Sequence, residues 1–120
     1  FFTFWGLNIL RKPQSRVKKG IIDKMFGLMM PKGTEKLTLS KMNMLGAGSL
    51  MMKWVMKQKN VSTLNELLTQ AREAGIKFIA CNMSMDVMGI KPEELIDGVE
   101  IGGVAKYIEE SSYSNSNLFI

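Results

Sequence analysis

Gly75-Ile76-Lys77-Phe78-Ile79-Ala80-Cys81-Asn82-Met83-Ser84-Met85-Asp86-Val87-Met88-Gly89 is the stretch whose reading sets the fold class. Ile76 to Cys81 is a short apolar run behind a glycine, the pattern of a buried strand. Asn82 to Met88 reads as a brief helix that Gly89 ends. Just upstream, Thr63 and Glu66 have the spacing of a capping box at the start of a helix. Leu64, Leu67, Leu68 and Ala71 keep helical spacing along it, and Gly75 stands where a left-handed C-terminal cap belongs. Downstream, Pro92 opens a further helix through Ile96, and Asp97-Gly98 turns into a strand over Val99 to Ile101. Gly102-Gly103 turns again into a helix over Val104 to Glu110. Strands alternating with helices imply parallel strands joined by crossover helices, an α/β layered domain.

The N-terminal half extends this pattern less regularly. Phe1-Phe2-Thr3-Phe4-Trp5 reads as a buried aromatic strand broken by Gly6, with a short helix over Leu7 to Lys12. Residues 13–20 read as a polar, basic loop, and Ile21 to Met30 as an amphipathic helix ended by Pro31 and Gly33. Ser49 caps a helix running to about Lys57, with apolar Leu50, Met51, Met52, Trp54, Val55 and Met56 on most sides. Only three strands are visible, thin for a parallel sheet that must be covered on both faces. The chain does not begin with methionine, so an N-terminal strand and helix preceding Phe1 are expected. Residues 1–110 then form a single domain, with 111–120 a mobile tail unless Leu118-Phe119-Ile120 dock.

With 120 residues, 46% hydrophobic and 22% charged, the chain has the composition and size of one globular domain. No run approaches the roughly 20 apolar residues that span a bilayer, so no membrane span is expected. The absence of histidine excludes histidine general bases, Ser-His-Asp and Cys-His catalysis and the usual zinc sites. A single cysteine excludes an internal disulfide framework and suits a reducing, cytoplasmic setting.

The net charge of +5 is unevenly spread. Residues 1–60 carry twelve Lys/Arg against two acids, and residues 61–120 four against nine. The cluster Arg11, Lys12, Arg16, Lys18 and Lys19 reads as a solvated loop. Without interleaved aromatics or a motif it does not indicate nucleic-acid binding. A basic half also suits an anionic membrane surface or an acidic protein partner, and opposed charge in the two halves equally suits subunit pairing.

Cys81 is the candidate reactive residue. In open parallel sheets ligands gather at the carboxyl ends of the strands, where Cys81 falls, and the following helix N-terminus favours an anion such as a thiolate. Against this stands the habit of free cysteine to be buried as a small hydrophobe. Cys81 with Met83, Met85 and Met88 has the donor chemistry of a copper(I) site. Met85 and Met88 sharing a helical face with Cys81 is equally the mark of a core-facing stripe, which is the preferred reading. No metal is therefore assigned. The eleven methionines are read as gap fillers or subunit contacts. Leu45-Gly46-Ala47-Gly48 completes neither a phosphate loop nor a dinucleotide fingerprint, so no cofactor is assigned.

The cysteine segment Gly75 to Gly89 resembles the cysteine motif of the DsrE/DsrF/DrsH-like family. The likeness continues through Glu94-Leu95-Ile96-Asp97-Gly98-Val99-Glu100 and Gly102-Gly103-Val104-Ala105. Upstream it takes in Phe1-Phe2-Thr3-Phe4-Trp5-Gly6-Leu7 and Met42-Asn43-Met44-Leu45-Gly46-Ala47-Gly48. It is closest to the stand-alone branch sometimes labelled peroxiredoxin-like. The resemblance implies a flavodoxin-like α/β fold, usually oligomeric as trimers or hexamers. It also implies a sulfur-relay role, in which sulfur rides as a persulfide on a cysteine and passes to a partner carrier protein. Cys81 alone carries over to that role. A non-catalytic, oligomeric interaction module built on the Met-rich helices, with Cys81 structural, is the alternative. A peroxide-reducing enzyme ranks last, because there is no second cysteine and no basic residue beside Cys81 in sequence.

Overall fold

A computed structural model describes residues 1–13, 20, 25, 30–34 and 47–120. Two strands, β1 (Phe78–Cys81) and β2 (Val99–Gly102), pair in parallel with Phe78 opposite Val99 and Cys81 opposite Gly102. Over residues 47–120 four α-helices accompany them: α1 (Ala47–Gln58), α2 (Leu64–Glu73), α3 (Asn82–Met88) and α4 (Val104–Tyr113). The architecture is α/β with parallel strands, consistent with a flavodoxin-like fold, with a two-stranded sheet among the described residues.

The N-terminal segment adds to the far side of β1. The Phe2 N–H donates to the Ile79 carbonyl at 2.7 Å and the Cys81 N–H to the Phe2 carbonyl at 2.9 Å, a parallel bridge. Beyond it lie the C-terminal residues. The Ile120 N–H donates to the Phe1 carbonyl at 2.9 Å and the Thr3 N–H to the Ile120 carbonyl at 2.6 Å. The docking foreseen as an alternative for Leu118-Phe119-Ile120 is thus made. Gly6 permits the close approach, because a Cβ there would stand 2.9 Å from the Ile120 carbonyl oxygen.

The extended part of the N-terminal segment is shorter than its aromatic run suggests. A 3₁₀ helix starts at Phe4 and runs to Leu10, and Phe4 and Trp5 are both 56% exposed. The expected strand through Trp5 is corrected to a single bridge at Phe2, since the turn that the Gly6 N–H closes onto the Thr3 carbonyl takes the chain out of the sheet. Similarly, the helix expected from Pro92 to Ile96 is a single 3₁₀ turn over Pro92–Glu94. Leu95 leaves it to bridge Arg11 in antiparallel sense. The helix expected over Ile21 to Met30 lies largely outside the described residues, as do Arg16, Lys18 and Lys19 of the expected basic loop.

Side-chain alternation along β1 divides the interior in two. Phe78 and Ala80 join Phe2, Leu7, Leu10, Met85, Met88, Ile90 and Leu95 in the main core, on which Leu68 and Ala71 of α2 rest. Ile79 and Cys81 point to the other face, with Phe1. The capping box of α2 forms as expected. The Glu66 N–H donates to Thr63 Oγ1 at 3.3 Å, and the Thr63 N–H donates to Glu66 Oε2 at 2.7 Å. Gly75 takes φ 80°, closing the other end. Thr63→Ala is expected to lower stability by about 1 kcal/mol in a urea titration, the usual loss of one cap. An unchanged midpoint would show that α2 is held by Leu68 and Ala71 alone.

Arg11 corrects the expectation of a solvated basic cluster. Its guanidinium is fully buried and bonds Glu94 Oε2 at 2.6 Å and Asn8 Oδ1 at 3.3 Å. Neighbouring Lys12 reaches Asp97 at 2.8 Å, which holds that carboxyl below its ordinary range. These contacts fasten the N-terminal segment to the 92–97 stretch, which leads directly into β2.

Candidate functional site

Cys81 is the last residue of β1 and the N-cap of α3, with extended backbone at φ −70° and ψ 115°. An apolar strand whose final residue stops the pleat, followed by a helix-forming run, places it there. Its register partner is Gly102, and Gly103 after it is the N-cap of α4. The carboxyl ends of two parallel strands and the N-termini of two helices therefore meet at one edge. Asn82 lies across this edge: its Oδ1 is 3.4 Å from where a Cβ on Gly103 would stand. Backbone N–H groups of a helix start have no intrahelical partners and so suit an anionic group.

The thiol is covered. Cys81 is 5% exposed and packs with Phe1 and Ile79, and Tyr107 of α4 rests against this cluster. Rings complete the cover. Phe1 stacks on Tyr107 at 5.0 Å between centroids, and Phe119 meets Phe1 at 5.4 Å and Tyr107 at 5.5 Å. The Tyr107 hydroxyl bonds Asn117 Oδ1 at 2.8 Å, tying the C-terminal residues to α4. Lys106, one residue before, pairs with Glu100 of β2 and holds that carboxyl below its ordinary range.

The structure places Cys81 at the strand end where its sequence position put it, but among different neighbours. Met85 and Met88 lie in the main core, whereas Cys81 belongs to the cluster on the opposite face of the strand. The expectation that these two methionines share a face with Cys81 is corrected. The alternation of β1 carries through to its last residue, while α3 turns Met85 and Met88 toward Phe2 and Leu7. Met83 and Asp86 are exposed. Among the described residues no group of three or more His, Cys, Asp or Glu side chains is placed to hold a metal ion. Also among them, no helix is long and apolar enough to cross a membrane. Phe1 and Tyr107 escaped notice as site neighbours, although counting alternate positions back from Cys81 marks out the face they cover.

Tyr107→Ala is expected to speed alkylation of the native thiol by iodoacetamide, because it removes a ring from the cover. Tyr107→Phe, which keeps the ring and loses only the bond to Asn117, should react as the wild type does. Equal rates in all three proteins would show that Tyr107 does not restrict access.

The sequence model of the DsrE/DsrF/DrsH-like family matches residues 1–119. The uncharacterised protein YrkE of Bacillus subtilis (strain 168) is 50% identical over 121 residues, spanning all of this chain and 76% of that protein. The sulfur carrier protein DsrE2 of Allochromatium vinosum is 37% identical over 124 residues, spanning all of this chain and 77% of that protein. The α/β architecture and these matches agree, and the chain belongs to the DsrE/DsrF/DrsH-like family.

Proposed function

We propose that this protein is a sulfur-relay protein that carries a sulfane sulfur as a persulfide on Cys81 and passes it to a partner thiol. The observation that carries this reading is the position of Cys81, the only cysteine, at a strand end where α3 begins and beside Gly102, after which α4 begins. Kinship with a protein named as a sulfur carrier supports it.

The chemistry needs one thiolate. The Cys81 sulfur attacks the terminal sulfur of a donor persulfide, the S–S bond of the donor breaks, and the donor leaves as its thiolate. Cys81 then holds Cys–S–S⁻. An acceptor thiolate attacks the outer sulfur, takes it as its own persulfide, and Cys81 returns as thiolate. Each step exchanges one thiolate for another, with no net oxidation and no further cofactor. An apolar cover over the sulfur suits a carrier, since it shields a reactive persulfide from stray thiols and oxidants. A reducing compartment such as the cytoplasm suits the free thiol.

Cyanide converts a protein persulfide to thiocyanate, which tests the reading. After incubation with a polysulfide donor and removal of the excess, the wild type is expected to yield one thiocyanate for each sulfane sulfur that Cys81 holds. A yield no higher than that of protein never exposed to donor would count against sulfur carriage.

A further inference from the structure

Helix α1 has an apolar stripe that nothing among the described residues covers. None of its twelve residues is buried, although it holds Leu50, Met51, Trp54 and Val55. At 3.6 residues per turn these four form one continuous face of about 140°. Leu50 is 71% and Trp54 60% exposed. Ser49 and Met56, on the opposite side, are half-buried, and Met56 lines a groove with Val61 and Thr63. The helix thus rests on its weakly polar side and turns its apolar side outward, the reverse of what a core-directed helix does.

Charge identifies what fits that face. From Lys36 to Asn65 the chain contains five lysines and not one Asp or Glu. Lys57 borders the stripe beside Leu50, and Lys59 follows the end of the helix on the Val55 side, both exposed. Lysine stems long enough to lie along an apolar edge, with ammonium groups on both flanks, suit a flat anionic surface with an apolar interior. A second copy of this chain is the competing occupant, since α4 exposes Val104, Ile108 and Tyr113 with Glu109 and Glu110 on the same helix.

We infer that α1 is a membrane-surface helix, which lays Leu50, Met51, Trp54 and Val55 into the interface of a bilayer carrying anionic lipid, with its lysines at the headgroups. This is peripheral docking of a 12-residue helix, too short to span the apolar interior. It is independent of the sulfur-relay reading and uses none of the residues around Cys81.

The test uses the whole chain with Trp5→Phe, which leaves Trp54 as its sole tryptophan. With phosphatidylcholine–phosphatidylglycerol vesicles at low salt, Trp54 emission is expected to shift to the blue and the protein to float with the vesicles. Both effects should weaken as salt rises and be far smaller with phosphatidylcholine alone. Lys57→Gln and Lys59→Gln should each lower partitioning about fivefold. Leu50→Glu should abolish it while the circular dichroism spectrum stays unchanged, since Leu50 supports no core. Three results would overturn the inference: no flotation at low salt, equal binding to both vesicle types, or a blue shift that follows protein concentration without vesicles. The last would mean that a second copy covers the stripe.

Discussion

Arg11→Ala is expected to cost about 3–5 kcal/mol of folding stability, the usual consequence of leaving one member of a buried ion pair without its partner. A domain of this size has a total of about 5–15 kcal/mol, so the variant should be partly unfolded under mild conditions. The magnitude follows from burial: the two side chains are 0% and 1% exposed, and their 2.6 Å contact is charge-assisted. Removing the guanidinium takes a charge-assisted bond from the buried Glu94 carboxylate, whose other oxygen accepts from the Lys91 N–H. It also frees Asn8 Oδ1 of the Arg11 bond. Glu94→Ala should cost a similar amount, because it strands the guanidinium and also removes the acceptor of the Lys91 N–H. The double change Arg11→Met with Glu94→Leu is expected to be milder than either single loss, since it removes both charges together. Urea titration of the four proteins measures this. A loss below about 1 kcal/mol for Arg11→Ala would place the pair in the range of solvated surface bridges and contradict the burial described here.

That pair also marks how far the sequence could be read. The β1–α3 unit, the Thr63–Glu66 capping box, Gly75, Gly89 and the Gly102-Gly103 turn were all legible, because each is decided by residues within a few positions of one another. Arg11 was misread as solvated because its partner lies 83 positions away and no local pattern links them. Phe4 and Trp5 were placed in a strand by composition. The turn at Thr3–Gly6 and the docking of Ile120 override that preference. Pro92 to Ile96 looked helical until Leu95 found a bridge to Arg11. At the site, the position of Cys81 was legible but its face was not. Helical spacing grouped it with Met85 and Met88, while strand alternation, which governs the last residue of β1, sends it toward Phe1 and Tyr107.

Cys81→Ser is the second change with a large expected effect, this time on chemistry and not on the fold. Serine keeps the shape and lacks a sulfur nucleophile, so sulfur loading should fall to zero and not merely weaken. Its hydroxyl enters an apolar pocket, for which a loss of about 1–3 kcal/mol is the expected scale. Cys81→Ala avoids that burial and serves as the folding control. Loss of loading in both variants, with near-native circular dichroism in Cys81→Ala, would separate the missing thiol from any damage to the fold.

The intact mass of the protein after incubation with a sulfane-sulfur donor, read before and after a thiol reductant, tests the central claim most directly. The wild type should gain about 32 Da, or a small multiple of it, and lose it on reduction. Cys81→Ser and Cys81→Ala should gain nothing. An unchanged wild-type mass, together with slow alkylation of the folded thiol, would make Cys81 a structural residue and contradict the sulfur-relay function.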